Sequence, residues 1–221
     1  MSPMIVTLDG PAGVGKSTLA RLVAQALRIP CLDTGAMFRF LALKLGPGLD
    51  DLTPESLERS AGEWQFSLIG SGDETILLAN GRPLGQDIRT EEASRAASRL
   101  GQRPEARAVL KAAQRALGQQ SSLVAEGRDL GTVVFPNAPH KFFLDARPEV
   151  RAMRRMLQLK QQGRLANYND LLADINARDE ADRNRAAAPL RAAKDAVVID
   201  TSELDVEQAR DAILRHIAEK P

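Results

Sequence analysis

Cysteine is nearly missing from this 221-residue chain. Cys31 stands alone, so no intrachain disulfide can form, and no Cys/His cluster has metal-ligand spacing. A reducing, cytoplasmic setting is therefore expected. Histidine is almost as scarce: His140 and His216 are expected to play ordinary structural parts. No run approaches the roughly 20 apolar residues that span a bilayer. The short apolar stretch after Met1 has no basic flank, so neither export nor membrane insertion is expected. A surplus of either charge is missing too. The 30 Lys and Arg balance 29 Asp and Glu, which argues against a protein that coats nucleic acid or an anionic membrane. Repeats and low-complexity tails are likewise absent. What remains, 43% apolar and 27% charged residues, suits one core domain carrying at most a smaller insertion. The last scarcity is lysine, with seven against 23 arginines. Genomic base composition alone produces such a bias, whereas guanidinium forks suit carboxylates and phosphates; the positions must decide.

Met4 to Asp9 is a short β-branched run that predicts a buried strand, and Leu19, Leu22, Val23, Ala26 and Leu27 mark one face of a helix. A second short strand at Ile29 to Leu32 leads into a helix opened by Asp33-Thr34-Gly35 and stopped at Gly46-Pro47-Gly48. Thr53 before Pro54 predicts a capped helix to about Ala61. Alternation then replaces helical spacing: Trp64, Phe66 and Leu68, a turn at Gly70 to Asp73, an extended Glu74 to Ala79, and a turn at Asn80-Gly81 predict a small antiparallel meander. Helices are expected at 90–101 and 104–118, strands at Ser122 to Glu126, Lys141 to Leu144 and Ala196 to Asp200. Further helices should run from Pro148 to near Gly163, from Tyr168 to Arg185, and after an Asp205/Gln208 capping signature. Strands alternating with helices imply an α/β fold with a parallel sheet covered on both faces.

Between the first strand and first helix lies Gly10-Pro11-Ala12-Gly13-Val14-Gly15-Lys16-Ser17, a full match to G-x-x-x-x-G-K-[ST], followed by Thr18. Chance yields roughly one such match per hundred chains of this length, and the strand-to-helix context removes most of that risk. Successive amides converge on phosphate oxygens, aided by the helix amino end. Lys16 would reach the β/γ-phosphates and Ser17 would ligate magnesium. No N-K-x-D segment is present to read guanine. Asp145 and Asp200 end apolar strands, but such ends are too common to identify a magnesium ligand. Arg178, Asp182 and Arg185, spaced i, i+4 and i+7, read either as an exposed salt-bridge ladder or as a nucleotide-facing cluster. Arg147, Arg151, Arg154 and Arg155 should crowd one side of another helix, where like charges repel until an anion neutralises them.

The segments Asp9 to Thr18, Leu32 to Arg39, Ile88-Arg89-Thr90, Glu126 to Pro136 and Arg178 to Arg185 together resemble the bacterial cytidylate kinases, in order and approximate spacing across nearly the whole chain. The segment Gly127-Arg128-Asp129-Leu130-Gly131-Thr132-Val133-Val134-Phe135-Pro136 is far more specific than the phosphate loop, which hundreds of enzymes share. The resemblance implies a kinase core of 1–32 and 100–221 with a helical lid about 150–165, and a monophosphate-binding insertion at 33–99 carrying the small antiparallel sheet. It implies that Ser98, Arg107 and Asp129 read the cytosine edge, with Asp129 alternatively holding a magnesium-bound water. It further implies that Asp182 accepts from a ribose hydroxyl and that Thr34, Arg39, Arg128, Arg178 and Arg185 contact the acceptor nucleotide or its phosphate. Phe38 and Ala12 depart from the tyrosine and serine common at those positions, and Thr34 keeps a hydroxyl often supplied by serine.

The expected reaction moves the γ-phosphoryl of ATP, with Mg2+, to CMP or dCMP in a monomer that binds neither nucleic acid nor membrane. Catalysis would rest on Lys16, Arg128, Arg178 and on Arg154 or Arg155 brought in by lid closure, without a general base. Rival readings are a kinase for UMP or a metabolite hydroxyl, and an ATP-driven switch that has no small acceptor.

Overall fold

The computed structural model describes residues 3–220. Met1 and Ser2, which open the apolar stretch without a basic flank, lie outside the described residues. Strand β1 (Ile5–Asp9) is buried along its whole length and feeds α1 (Lys16–Leu27), whose Leu19, Ala20, Val23 and Ala24 are buried as the spacing predicts. The next strand, β2 (Cys31–Asp33), begins two residues later than expected. Asp33 then caps α2 (Thr34–Leu45) by accepting from the Ala36 amide at 2.8 Å. The Thr53 hydroxyl caps α3 (Pro54–Gly62), with proline at the first turn.

The expected meander is β3 (Phe66–Ile69), β4 (Ile76–Ala79) and β5 (Arg82–Pro83), an antiparallel sheet turned at Asn80 and Gly81, both at positive φ. The Phe40 ring of α2 meets Trp64 edge-on at 4.8 Å and Phe66 at 5.9 Å, anchoring this sheet. Then come α4 (Glu91–Leu100), α5 (Pro104–Gln120), β6 (Leu123–Gly127), β7 (His140–Asp145), α6 (Pro148–Gln161), α7 (Tyr168–Asn184), β8 (Val197–Asp200) and α8 (Val206–Glu219). The capping box of Asp205 and Gln208 is formed.

Among the described residues, five strands pair in parallel in the order β2-β6-β1-β7-β8. One face packs Leu32, Met37, Leu41, Leu110 and Leu130; the other packs Val23, Leu8, Phe142, Leu144 and Ile213. Each such side chain removed from water contributes roughly 1.5–3 kcal/mol. The register sets Asp9 beside Gly127 and Leu8 beside Glu126, so the carboxyl ends of β1 and β6 share one rim. A π-helical turn at Leu130–Val134 follows β6 and was not expected from the sequence. The Asp9 carboxylate holds its start, accepting from the amides of Leu130 at 2.9 Å and Gly131 at 2.7 Å. Among the described residues no helix is long and apolar enough to cross a membrane.

Candidate active site

Residues 10–18 form the loop that joins β1 to α1. Gly10 has φ +149°, and a Cβ there would stand 2.1 Å from the Leu144 carbonyl oxygen, so no other residue fits without moving β7. Gly13 and Gly15 also sit at positive φ, turning the loop back over the amino end of α1. Lys16 is buried and donates to the Pro11 carbonyl at 2.6 Å, curling its ammonium back across the loop. Burial, then the neighbouring Arg128, draws Lys16 well below its ordinary value, against the pull of Glu126. The loop is braced from beneath by Arg151, which donates to the Ala12 carbonyl at 3.0 Å and to Asp179 at 2.6 Å.

Glu126 lies in the floor of this loop and faces the Ser17 hydroxyl; burial, then Asp33, pushes its carboxyl up to about 7. Nothing in its strand pattern distinguished it from a core position with a polar end. A buried carboxylate beside the loop hydroxyl supplies hard oxygen chemistry that fits Mg2+, which characteristically keeps several waters and takes few protein ligands. Among the described residues no cluster of three or more His, Cys, Asp or Glu forms a self-sufficient metal cage.

Across from the loop, side chains from four separate segments meet. Arg128, just past β6, donates to Asp182 of α7 at 2.9 Å. Arg185 donates to Asp129 at 3.3 Å and lies 3.8 Å from Asp182. Arg107 of α5 completes the set by pairing with Asp129 from the other side while its guanidinium lies 5.7 Å from the centre of the Phe38 ring. Asp182 and Arg185 are 6% and 8% exposed, so the i, i+4, i+7 triplet is not an exposed ladder. Burial opposes charge on Asp182, but Arg128, Arg178 and Arg185 hold its carboxyl below the usual range. Ser98 lines a neighbouring cavity of about 440 Å3 with Arg99, Gln102, Ala181, Asn184 and Arg185.

Two guanidiniums in this region are short of partners. Among the described residues the Nε atoms of Arg39 and Arg178 are buried without a hydrogen-bond acceptor. Arg39 does pair with Asp33 at 2.8 Å through Nη2. Arg178 is brought down to about 10, by burial first and then by Arg128. Thr34, at the amino end of α2, donates its hydroxyl to the Glu126 carbonyl at 2.6 Å.

The expected crowd of like charges on α6 does not exist, because each arginine there takes its own partner. Arg147 pairs with Glu203 and Arg155 with Glu91 of α4. Arg151 is 1% exposed beneath the loop, and Arg154 donates to the Thr201 carbonyl at 2.5 Å and hydroxyl at 3.1 Å. Helical spacing places four arginines along one side, but it does not see acidic residues and carbonyls contributed by other segments. Glu91, like Glu126, escaped sequence reasoning for that reason. Asp9 escaped as well, as the last residue of an apolar strand. Of the two histidines, His216 packs edge-on against Phe142 at 5.6 Å and His140 is buried in β7, both in structural settings.

A family model described as cytidylate kinase matches residues 6–219. The chain belongs to the cytidylate kinase family. A cytidylate kinase from Nitratidesulfovibrio vulgaris is 54% identical over 213 residues, which cover 96% of this chain and 92% of that protein. One from Escherichia fergusonii is 42% identical over 217 residues, covering 98% and 96%. Among solved structures, an uncharacterized protein from Eubacterium ventriosum superposes with a TM-score of 0.51 at 13% identity and 98% coverage of both chains, a likeness of fold alone. A cytidylate kinase is a phosphotransferase, and the parallel sheet with its phosphate loop is the scaffold on which this family member carries its site.

Proposed function

We infer that this family member transfers the γ-phosphoryl of ATP to CMP or dCMP, giving ADP and CDP or dCDP. The observation that carries the reading is the pair of buried guanidinium Nε atoms without acceptors, on Arg39 and Arg178, with Arg178 close enough to the loop lysine to act on its charge. Buried donors left unpaired are costly, and a phosphate between them removes that cost.

The residues from Gly10 to Thr18 other than Pro11 hold the ATP phosphates through backbone amides, with Lys16 turning from the Pro11 carbonyl to the β/γ-phosphates. Mg2+ would be held by the Ser17 hydroxyl together with phosphate oxygens and waters, and when bound it offsets charge between the β- and γ-phosphates. Arg39, Arg128 and Arg178 hold the acceptor phosphate in line, Asp182 and Arg185 take the sugar side, and Ser98, Arg107 and Asp129 read the cytosine edge. Thr34 positions the start of α2 beneath that nucleotide. Residues 33–99 act as the monophosphate-binding unit and 150–165 as a lid that excludes water. Arg155 reaches the transferred group by leaving Glu91, and Arg154 by releasing Thr201. The acceptor oxygen is already anionic, so no general base is needed.

An acceptor panel of CMP, dCMP, UMP, AMP and GMP, scored by ADP release, tests this. CMP and dCMP should exceed both purine monophosphates in kcat/KM by 10²-fold or more, a floor below the roughly 10⁴–10⁵ that a hydrogen-bonding site achieves. Equal turnover of AMP or GMP overturns the cytosine-reading roles.

A further inference from the structure

The end of β1 does two jobs on two faces of the sheet. Its backbone launches the ATP loop at Gly10, whereas the Asp9 side chain points to the other face and holds the amides of Leu130 and Gly131. Those amides lie 121 and 122 residues away in sequence and directly follow Asp129. Asp129 itself accepts Val133 and Val134 amides through its carbonyl, at 2.8 and 3.2 Å, which ties the turn to the backbone that carries the Asp129 side chain. The contact is close because Gly131 has no side chain: a Cβ there would lie 3.2 Å from Thr7 Oγ1 and 3.4 Å from Asp9 Oδ2.

We propose that Asp9 is a positioning residue for the acceptor nucleotide, its two carboxylate oxygens holding the Leu130–Val134 turn so that Asp129 is presented to the cytosine between Arg107 and Arg185. The proposal rests on the assignment of Asp129 to the cytosine edge. Here the two N–H donors go to separate oxygens, Leu130 to Oδ1 and Gly131 to Oδ2. Asparagine offers one, and its amide nitrogen would confront the remaining N–H. Protonation does the same to the aspartate by converting one oxygen into a hydroxyl. The start of the ATP loop is set instead by Gly10 against Leu144, so the loop backbone does not lean on the Asp9 carboxylate.

The groups facing Asp9 are few. Burial raises its carboxyl to about 6; the two amides lower it, Asp129 raises it and Lys16 lowers it. Lys141 of β7 lies alongside Gly131, but its ammonium is engaged by Asp195 at 2.8 Å and the Pro136 carbonyl. Glu126 projects from the opposite face, beside Leu8 in the register. Asp9 is thus ionised at pH 8 and loses an acceptor as the pH falls through about 6.

The test is the KM for CMP and for ATP in the parent and in Asp9→Asn, from pH 5 to 8. At pH 8 the variant should show a CMP KM on the order of tenfold higher, with ATP KM within twofold. The variant-to-parent ratio for CMP should fall toward 1 at pH 5, where the parent has lost the same acceptor. Titration of the CMP phosphate itself, near pH 6, affects both proteins and cancels in the ratio. A ratio that stays flat with pH, or CMP and ATP KM values rising together, overturns the proposal. If Asp9→Asn does not fold, the amide proton shifts of Leu130 and Gly131 in the parent provide the readout. They should titrate together with a midpoint near 6, and their failure to move between pH 5 and 8 overturns it equally. An Asp129→Asn variant with unchanged CMP KM would instead sink the cytosine role of Asp129, recognisable because both amides would still titrate.

Discussion

The two sides of the cleft hold negative charge by different means. On the proposed ATP side the donors are backbone amides of residues 10–18 other than Pro11, placed by glycine conformations and the start of α1. On the acceptor side they are side chains from segments far apart in sequence: Arg128 and Asp182 are 54 residues apart, Arg185 and Asp129 56. Backbone donors are few in kind and rigidly spaced, so they bind any polyphosphate in the same way. Side-chain donors are held by carboxylates, and each carboxylate adds a shape that a particular nucleotide must match. On the proposed assignment, the donor side supplies generic grip and the acceptor side supplies choice.

The sharpest way to break this contrast is Arg151→Met. Arg151 is a side chain on which the supposedly self-sufficient backbone loop leans, through the Ala12 carbonyl, and its removal leaves Asp179 buried and unpaired. A loss of about 3–5 kcal/mol is expected, seen as a fall in Tm on the order of 10 °C. A stable variant with a normal ATP KM would show the loop needs no brace. Next is Lys16→Ala, which should lower kcat/KM for CDP formation by about 10²–10³-fold while Tm holds or rises, since a buried ammonium is removed. Unimpaired turnover would strip the loop of its only cationic role. Smaller, and directed at the other side, is Asp182→Ala. Its loss frees Arg128 and should raise CMP KM about 10-fold or more with ATP KM nearly unchanged. Parallel rises in both would merge the two sides into one site.

Legibility in the sequence followed the same divide. The loop, its flanking strand and helix, the Thr53 and Asp205 caps and the Asn80-Gly81 turn are all caused by residues within a few positions of one another, so local pattern suffices. The Leu130–Val134 turn escaped because its cause, Asp9, is remote. Helical spacing sets Arg151 in a crowd with Arg147, Arg154 and Arg155 because it cannot show that the Ala12 carbonyl and Asp179 enclose it. Glu126 escaped because one acidic residue on a buried strand acquires meaning only when Ser17 is folded against it.

The smaller sheet ends on β5, only Arg82 and Pro83, paired with Ala79 and Leu78. An outer strand this brief, with a cation at one position and a ring nitrogen lacking hydrogen at the other, gives a neighbouring molecule almost no ladder to extend. The chain thus carries, at this margin of its smaller sheet, a built-in stop against zipping up with copies of itself.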